Sequence, residues 1–246
     1  MVILRWRRRC VCAAGDTTGK IWWEDAPVEW ALLDGVSDQD RQRFLAIARP
    51  RKYGRGEVVF LAGAPADSLH LVVSGTFAVR VGTESGDMAM LSVLGAGDFF
   101  GELAFLDPES GRTATITSFE ASQTLSVGRS EFMRLREEHP PVDRVLVSVL
   151  SAQVRRLSTL LVEAMYLPAE ARVYRRLLAA AEMWGGAVPG TVIPLTQEDI
   201  AGLAGTTRPT ANRVLRQAES SGLLGIKRGR IELIDPRGIA ALAAGV

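Results

Sequence analysis

Two residues of opposite charge, Glu102 and Arg112, lie ten positions apart in the segment GELAFLDPESGRTATI, residues 101–116. A carboxylate accepts hydrogen bonds from a diol, whereas a planar guanidinium presents paired donors to two anionic oxygens. A short helix opening near Phe100 would add backbone amides beside such an anion. The pair therefore predicts a site for a small hydroxylated anion. The alternative is a salt bridge across a loop, which would need neither the flanking glycine nor the flanking threonine.

The segment lies within a region of predicted short strands, and these strands must hold it in position. From Tyr53 to about Val127, β-branched and aromatic runs alternate with glycines. That texture is typical of an antiparallel sandwich or barrel. A short amphipathic helix precedes the strands and ends before Pro50. Another helix begins near Arg129 and is interrupted at residues 140–141, where two prolines follow one another.

A long helix is predicted from Val142 to Met165. Its apolar residues recur at alternating steps of three and four, a heptad pattern that favours pairing with a second helix. The alternative is packing of this helix against its own β domain through Leu146 and Val149. We expect a homodimer, and its predicted seam consists of Val147, Leu150, Val154, Leu157, Leu161 and Ala164.

The segment TQEDIAGLAGTTRPTANRVLRQAESSG, beyond Pro168, has the pattern of two helices joined by a tight turn. Thr196 and Asp199 form an approximate capping box for the first helix. Gly205 permits the turn, and Thr207 can cap the second helix. Apolar residues face one side of the second helix and arginines face the other. The segment therefore predicts a helix-turn-helix.

A hairpin with a basic tip follows and resembles a wing. Arginine pairs with O6 and N7 of guanine, and Arg208 and Arg213 lie far enough apart to reach different base pairs. Residues 172–246 contain ten basic and six acidic residues, which also favours a polyanion. The alternative is a solvated basic helix in a protein-binding module. The predicted DNA contacts are Thr196, Gln197, Thr206, Thr207, Arg208, Pro209, Thr210, Arg213, Arg216, Lys227 and Arg228.

The composition of the 246-residue chain, 47% hydrophobic and 23% charged, is typical of a soluble globular protein. No uninterrupted apolar run approaches the roughly 18 residues of a membrane span, so we expect a cytoplasmic protein without a membrane partner. Residues 1–27 show no periodicity and are treated as an extension that need not be ordered. Cys10 and Cys12 are too few for a zinc site or an iron–sulfur cluster, so no metal is expected.

The order of β domain, long helix and helix-turn-helix resembles the CRP/FNR superfamily of transcription regulators over roughly residues 30–235. The most specific signature is the phosphate-binding cassette GDFFGELAFLDPESGRTATI. The resemblance implies an α+β fold with three parts. These are an N-terminal antiparallel β-roll of the cyclic-nucleotide-binding jelly-roll type over 28–141, a long dimerisation helix and hinge over 142–167, and a winged helix-turn-helix domain over 168–246.

The resemblance also implies a cyclic nucleotide, most often cAMP, as the effector, with no tightly bound cofactor. Residues 101 and 102 would hold the ribose, and Arg112 would pair with the cyclic phosphate. Of the two hydroxyl residues with which the family caps the base, only the serine is present, because Leu157 stands at the other position. The implied nucleotide-binding residues are Gly101, Glu102, Leu103, Arg112, Thr113 and Ser158.

On the DNA side, Arg208 and Arg213 match the two guanine-contacting arginines of the family. Pro209 replaces a glutamate that reads cytosine, so we expect an altered base preference there. At the hinge, Pro168 occupies a position that is often Asp. The implied partners are a palindromic double-stranded DNA site and a second copy of the chain, and RNA polymerase remains open as a third.

Two alternatives remain at this stage. One is a regulator with a vestigial pocket that acts without ligand or senses another effector, such as haem bound through His70. The other is an enzyme, or a regulatory subunit, that carries a cyclic-nucleotide module. The sequence contains no P-loop, HExxH or GxSxG motif, and it ends at Val246 just beyond the wing. We therefore expect no enzymatic activity.

Overall fold

Two four-stranded antiparallel sheets form the β-roll. The structure is a computed structural model, and it describes residues 28–82, 88–106 and 111–244. The strands are β1 (Arg49–Tyr53), β2 (Val58–Phe60), β3 (Ser68–Ser74), β4 (Phe77–Gly82), β5 (Met88–Leu94), β6 (Phe99–Phe100), β7 (Thr115–Ser118) and β8 (Ser122–Gly128). One sheet has the order β1-β8-β3-β6 and the other the order β2-β7-β4-β5. The predicted antiparallel β domain is confirmed.

Two apolar clusters hold the β-roll together. One contains Val72, Phe77, Phe100 and Ile116 and draws on strands of both sheets. The other lies where short helices cover β3 and β8, and the buried Trp30 in it donates through Nε1 to the Val72 carbonyl at 2.9 Å. The helices of this domain are α1 (Asp38–Ile47), α2 (Leu103–Leu106) and α3 (Arg129–Glu138).

The long helix α4 runs from Pro140 to Tyr166. Proline is tolerated in its first turn because the amides there have no intrahelical acceptor. The apolar contacts of α4 with the β-roll lie in its N-terminal part, through the buried residues Val142 and Leu146, and farther along the helix Arg156 donates from Nη2 to the Leu91 carbonyl of β5 at 2.7 Å. Beyond Leu146 most of the apolar side chains of α4 are exposed, although Leu150 is half-buried, so the alternative of packing against the β domain holds only for the first turns and the predicted seam lies on the exposed part.

By length and composition alone, α4 would suffice to cross a membrane. This length was not apparent from uninterrupted apolar runs, because Arg155 and Arg156 interrupt the run. A single such helix is weak support for membrane insertion, since helix pairing in water selects the same composition. The heptad spacing of its apolar residues is the feature that a membrane span does not require.

The C-terminal domain begins immediately after Pro168. Three helices surround one buried core with a three-stranded sheet in the order β10-β11-β9, and a terminal helix closes it. The elements are α5 (Ala169–Ala181), β9 (Val192–Ile193), α6 (Gln197–Ala204), α7 (Arg208–Ser220), β10 (Leu224–Lys227), β11 (Arg230–Leu233) and α8 (Pro236–Ala243). This is the predicted winged helix-turn-helix, and the α+β fold is confirmed.

Among the elements that were not anticipated from the sequence, two are informative. The first, β1, has the sequence RPRKY and is largely exposed at the edge of its sheet, so it lacks the apolar alternation that indicates a strand. The second is α8, which Asp235 caps by accepting hydrogen bonds from two backbone amides of its first turn. The Asp-Pro pair at 235–236 is a helix-start signal that would have identified it.

Candidate functional site

Arg112 is the centre of the candidate effector site, and its residue is only 3% exposed. Its Nη2 lies 3.1 Å from Asp67 Oδ1 and 3.2 Å from Ser68 Oγ, while Nη1 donates to the Gly101 carbonyl at 3.3 Å. The guanidinium also lies over the Phe60 ring, 4.0 Å from its centroid. These contacts fix the plane of the guanidinium.

The charge of Arg112 is incompletely compensated. Its carboxylate partner, Asp67, has a side chain that is 86% exposed, so water screens this pair. Burial is the largest influence on Arg112 and lowers its pKa. Among the residues that the structure describes, none bonds to the buried Nε of Arg112. A buried donor without a partner is rare in proteins, and here it is consistent with a site for an anion.

Gly101 makes room for this arginine. Its φ of +95° is a conformation that side-chain-bearing residues rarely adopt. A Cβ at this position would lie 2.6 Å from Arg112 Nη1 and 2.9 Å from the Ser68 carbonyl oxygen. Glycine is therefore required both by the backbone conformation and by the close approach of the guanidinium.

Glu102 lies beside the arginine, partly buried, and directly precedes the first residue of α2. Burial raises its pKa to about 7, and the charge of Arg112 opposes that rise. Within the described part of the chain, Arg112 pairs with Asp67 and no salt bridge joins it to Glu102. The alternative of a simple Glu102–Arg112 bridge is therefore wrong for this conformation, and the arginine does not occupy this carboxylate.

The other predicted nucleotide-binding residues lie in three places. Leu103 is the first residue of α2, and Thr113 is exposed directly after Arg112. Ser158 is on α4, where its hydroxyl donates to the Val154 carbonyl of the same helix at 3.0 Å. Three partners of Arg112, namely Asp67, Ser68 and Phe60, were not predicted from the sequence. They lie on strands or loops that are distant from Arg112 in sequence, and they belong to no motif.

His70, the candidate haem ligand, lies on β3. Its side chain is buried and stacks on the Phe100 ring with a centroid distance of 5.1 Å. Its two ring nitrogens lie 3.2 Å from Ser68 Oγ and 3.0 Å from Thr124 Oγ1. Burial, more than the neighbouring charges, lowers its pKa to about 3, so the ring is neutral. These contacts favour its interpretation as a core residue of a strand.

The helix-turn-helix has the predicted caps. Thr196 and Asp199 form a complete capping box on α6, Gly205 ends α6 in the left-handed conformation, and Thr207 caps α7. The side of α7 that faces the core buries Ala211, Val214, Leu215 and Ala218. The opposite side exposes arginines. The local predictions for this motif are therefore confirmed.

A cleft of about 370 Å³ lies between α6, α7 and the wing. It brings the predicted residues Thr196, Gln197, Arg208 and Arg216 together with the wing residues Lys227 and Arg228. Because most of these side chains are basic or can donate hydrogen bonds, the cleft has the chemistry of a phosphate-backbone contact. Thr206, Thr207, Pro209, Thr210 and Arg213 are not among the residues that line it.

Arg213 has an acidic partner that the sequence analysis did not identify. Its Nη2 lies 2.6 Å from Oε1 of Glu170 in the first turn of α5. The hydrogen bond from Arg213 is the largest of the influences that lower the pKa of Glu170. Both side chains are substantially exposed, so the pair contributes little to stability. The guanidinium keeps further donors free for a base edge.

The predicted dimer seam is exposed in the single chain. Val147, Val154 and Leu161 are each more than 60% exposed, and Leu157 is 42% exposed. The apolar surface of α4 is wider than the heptad alone, since it also includes Val162, Met165 and Tyr166. An apolar surface of this length on a lone helix is a candidate interface.

Comparisons with known proteins agree with this arrangement. Residues 50–139 match the family model of the cyclic nucleotide-binding domain, and residues 171–242 match that of the Crp-like helix-turn-helix domain. The chain is 28% identical to a CRP-like cAMP-activated global transcriptional regulator of Mycobacterium tuberculosis, over 86% of this chain and 96% of the relative. It is 26% identical to the cyclic AMP receptor protein of Thermus thermophilus, over 87% and 97% of the two chains.

Comparison with solved structures supports the same fold. The catabolite activator protein of Thermus thermophilus superposes with a TM-score of 0.50 and 26% identity, covering 87% of this chain and 99% of the other. The c-di-GMP responsive global regulator CLP of Xanthomonas campestris superposes with a TM-score of 0.71 and 21% identity, covering 80% and 99%, which supports the fold. With its nucleotide-binding and helix-turn-helix domains in this order, the chain belongs to the CRP/FNR family of transcription regulators.

Proposed function

We propose that the protein is a homodimeric, sequence-specific DNA-binding transcription regulator whose activity is modulated by cAMP bound in the β-roll. The observation that carries the effector assignment is the buried Arg112, whose Nε has no partner among the described residues and whose counter-ion is exposed, beside the carboxylate of Glu102, with which it forms no salt bridge. Relatives described as cAMP-activated, or as a cyclic AMP receptor, support this choice of nucleotide. The protein acts without catalysis and in the cytoplasm.

In the proposed complex the cyclic phosphate pairs with Arg112, whose fork suits two anionic oxygens. Glu102 accepts from the ribose 2′-hydroxyl, and Gly101, Leu103 and Thr113 complete the phosphate and sugar contacts. Ser158 contacts the base once its hydroxyl leaves the Val154 carbonyl. Because Asp67 already bonds to Nη2 of the arginine, the phosphate must share the guanidinium with this carboxylate or displace it.

The proposed DNA complex uses two copies of the chain. Two α4 helices pair through the exposed or half-buried side chains of Val147, Leu150, Val154, Leu157, Leu161 and Ala164. The recognition helices α7 then enter adjacent major grooves of a palindrome, about 34 Å apart. Arg208 and Arg213 read guanines, Pro209 lies against a base without a hydrogen-bonding side chain, and the remaining predicted residues contact phosphates. RNA polymerase is a further proposed partner.

Arg213→Ala tests direct base reading. We expect affinity for a palindromic operator to fall about 100-fold or more, since each of the two subunits loses one bidentate arginine–guanine contact of about 1–3 kcal/mol. Affinity for unrelated DNA should change little. Fluorescence anisotropy with both duplexes measures this, and Arg237→Ala, at an exposed position of α8, is the matched control. Equal losses on both duplexes would contradict base reading.

The affinity for cAMP should increase with pH because binding requires an ionised Glu102. With a pKa of about 7, roughly a tenth of the carboxyl is ionised at pH 6 and most of it at pH 8. We therefore expect about tenfold tighter binding at pH 8 than at pH 6 by calorimetry. Stability changes in the opposite sense. The raised pKa stabilises the fold at low pH, and this contribution is lost as pH rises from the ordinary value of 4.5 to about 7.

Glu102→Gln is the control for this pH dependence, and it should bind weakly at every pH. Burial also raises the pKa of Asp98 to about 6, so Asp98→Asn distinguishes the two carboxyls and should keep the dependence. A flat affinity profile in the unaltered protein would contradict the assignment of the ribose contact to Glu102.

A second candidate function is a regulator that binds DNA without a nucleotide. The observation that favours it is the position of Leu157 on the exposed apolar seam, where the family has a hydroxyl residue for the base. An apolar seam stabilises helix pairing unaided, and the dimer then needs no ligand. Mobility shifts on palindromic DNA decide between the two functions. A shift that strengthens with cAMP supports the first, and equal shifts with and without cAMP support the second.

A further inference from the structure

The first helix of the helix-turn-helix packs directly on the β-roll. A Cβ at Gly202 of α6 would lie 3.0 Å from the Met88 carbonyl oxygen and 3.2 Å from the Met90 backbone nitrogen of β5. The helix therefore approaches a strand of the other domain as closely as glycine allows. Such close packing between backbones indicates a defined contact rather than two domains that happen to be adjacent.

Apolar side chains continue this contact into the interior of both domains. Ala78, Met90 and Phe119 of the β-roll belong to the same buried cluster as the core of the C-terminal domain. The Phe119 ring meets the ring of Trp184 edge-on, with centroids 6.5 Å apart. The two domains thus share one continuous core in this arrangement.

Arg80 adds a specific polar contact to the same surface. Its Nη2 lies 2.8 Å from Asp199 Oδ1, and the two side chains are only 23% and 12% exposed. Its Nη1 bonds to the Thr117 hydroxyl, and its guanidinium lies over the Phe119 ring. Arg80 is therefore held in place by the β-roll and extends its charge to the other domain.

Asp199 connects Arg80 to the N-terminus of α6, the first helix of the helix-turn-helix. Its other oxygen, Oδ2, accepts from the Thr196 backbone nitrogen at 2.9 Å and from Thr196 Oγ1 at 2.7 Å. One carboxylate thus caps α6 and binds the β-roll at the same time. Because Thr196 is a proposed phosphate contact, Arg80 fixes the position of a DNA-contacting residue without being one itself.

The docked arrangement leaves the proposed base-reading side chains accessible. Arg208, Arg213 and Arg216 are exposed on α7, and Lys227 and Arg228 are exposed on the wing. The main contact with the β-roll involves a different part of the motif, namely the capping carboxylate and the Gly202 face of α6, while the basic Arg55 of the β-roll approaches the wing tip at Gly229. The orientation that Arg80 stabilises is therefore one in which these groups can meet DNA.

We propose that Arg80 is a positioning residue for DNA binding. Through Asp199 it holds the helix-turn-helix on the β-roll in the orientation that binds DNA, and it touches neither the DNA nor the nucleotide. This rests on the proposed function as a DNA-binding regulator. A domain that is free to rotate occupies the competent orientation less often, and its apparent affinity falls by that fraction.

Arg80→Met tests this role, since it removes the charge and keeps much of the side-chain length. We expect operator binding to be weaker by about tenfold or more, because loss of the interdomain ion pair lowers the population of the competent orientation. The dissociation constant for cAMP should not change. The slope of log affinity against log salt should also not change, because no phosphate contact is lost. Thr117→Val is the matched control, which removes the other partner of Arg80 and leaves the ion pair.

A double-mutant cycle with Asp199→Asn separates positioning from general damage. If the pair acts as a unit, Arg80→Met should weaken DNA binding little further in the Asp199→Asn background. Additive losses, or a parallel loss of cAMP binding, would overturn the proposal. Operator binding by Arg80→Met that is unchanged or tighter would also overturn it, and tighter binding would identify the docked arrangement as a masked state.

The result for the unaltered protein distinguishes this proposal from the one on which it rests. If the unaltered protein binds the operator and Arg80→Met binds it equally well, only the positioning role fails. If the unaltered protein binds no palindromic duplex, the proposed function fails, and the positioning role fails with it.

Discussion

Arg112→Met is expected to weaken cAMP binding by about 100-fold or more. The arginine is the buried cation of the pocket, and loss of one partner of a buried charge pair costs on the order of 3–5 kcal/mol. Its geometry is already fixed by Gly101, Ser68 and the Phe60 ring, so no other side chain can take its place. Isothermal titration calorimetry with cAMP and cGMP measures the effect.

Two further variants make this result interpretable. Arg112→Lys keeps the charge but loses the planar fork, and we expect an intermediate loss of affinity. Arg134→Met, at an exposed position of α3, is the matched control and should bind normally. Because Arg112 is buried, thermal unfolding must show that each variant is folded. A folded Arg112→Met protein with unchanged affinity would remove this pocket from the mechanism.

Leu161→Glu is expected to convert the dimer to a monomer. A symmetric seam contains each substitution twice, so two carboxylates would be buried against the partner helix at a cost of several kcal/mol each. Operator affinity should then fall on the order of 100-fold, because each domain must bind its half-site without the effective concentration that the dimer provides. Analytical ultracentrifugation and anisotropy measure the two effects.

Thr159→Glu is the matched control for the seam. It introduces the same charge two residues away on the same exposed helix, outside the heptad positions. We expect it to remain dimeric and to bind DNA normally. If Leu161→Glu is also a dimer, the exposed apolar face of α4 has another role, and the two-fold arrangement of the reading helices must come from elsewhere.

Much of the architecture was predictable because its signals are local. The heptad spacing on α4, the prolines that start it and the caps of α6 and α7 each act within a few residues. The strands of the β-roll were recognisable from β-branched runs between glycines. The elements that were missed, β1 and α8, either lack an apolar pattern or have a start signal of only two residues.

In the candidate site, too, the residues that could be predicted are close together in sequence, and those that could not are far apart. Gly101, Glu102 and Arg112 are close in sequence and could be recognised together as one cassette. The partners of the functional arginines could not, since Asp67 lies 45 residues from Arg112 and Glu170 lies 43 residues from Arg213. A charged residue on a loop or an exposed face has no periodicity that indicates which other charge it will meet.

The sequence by itself determined the order of the domains, the cassette, the reading helix and the apolar seam. Only the tertiary structure decided that Asp67 would bind Arg112, and that Arg80 would meet Asp199 across 119 residues. The physical reason is the range of the interactions. Helix caps, turns and periodic faces are set by neighbours along the chain, whereas ion pairs between domains depend on how completed elements pack.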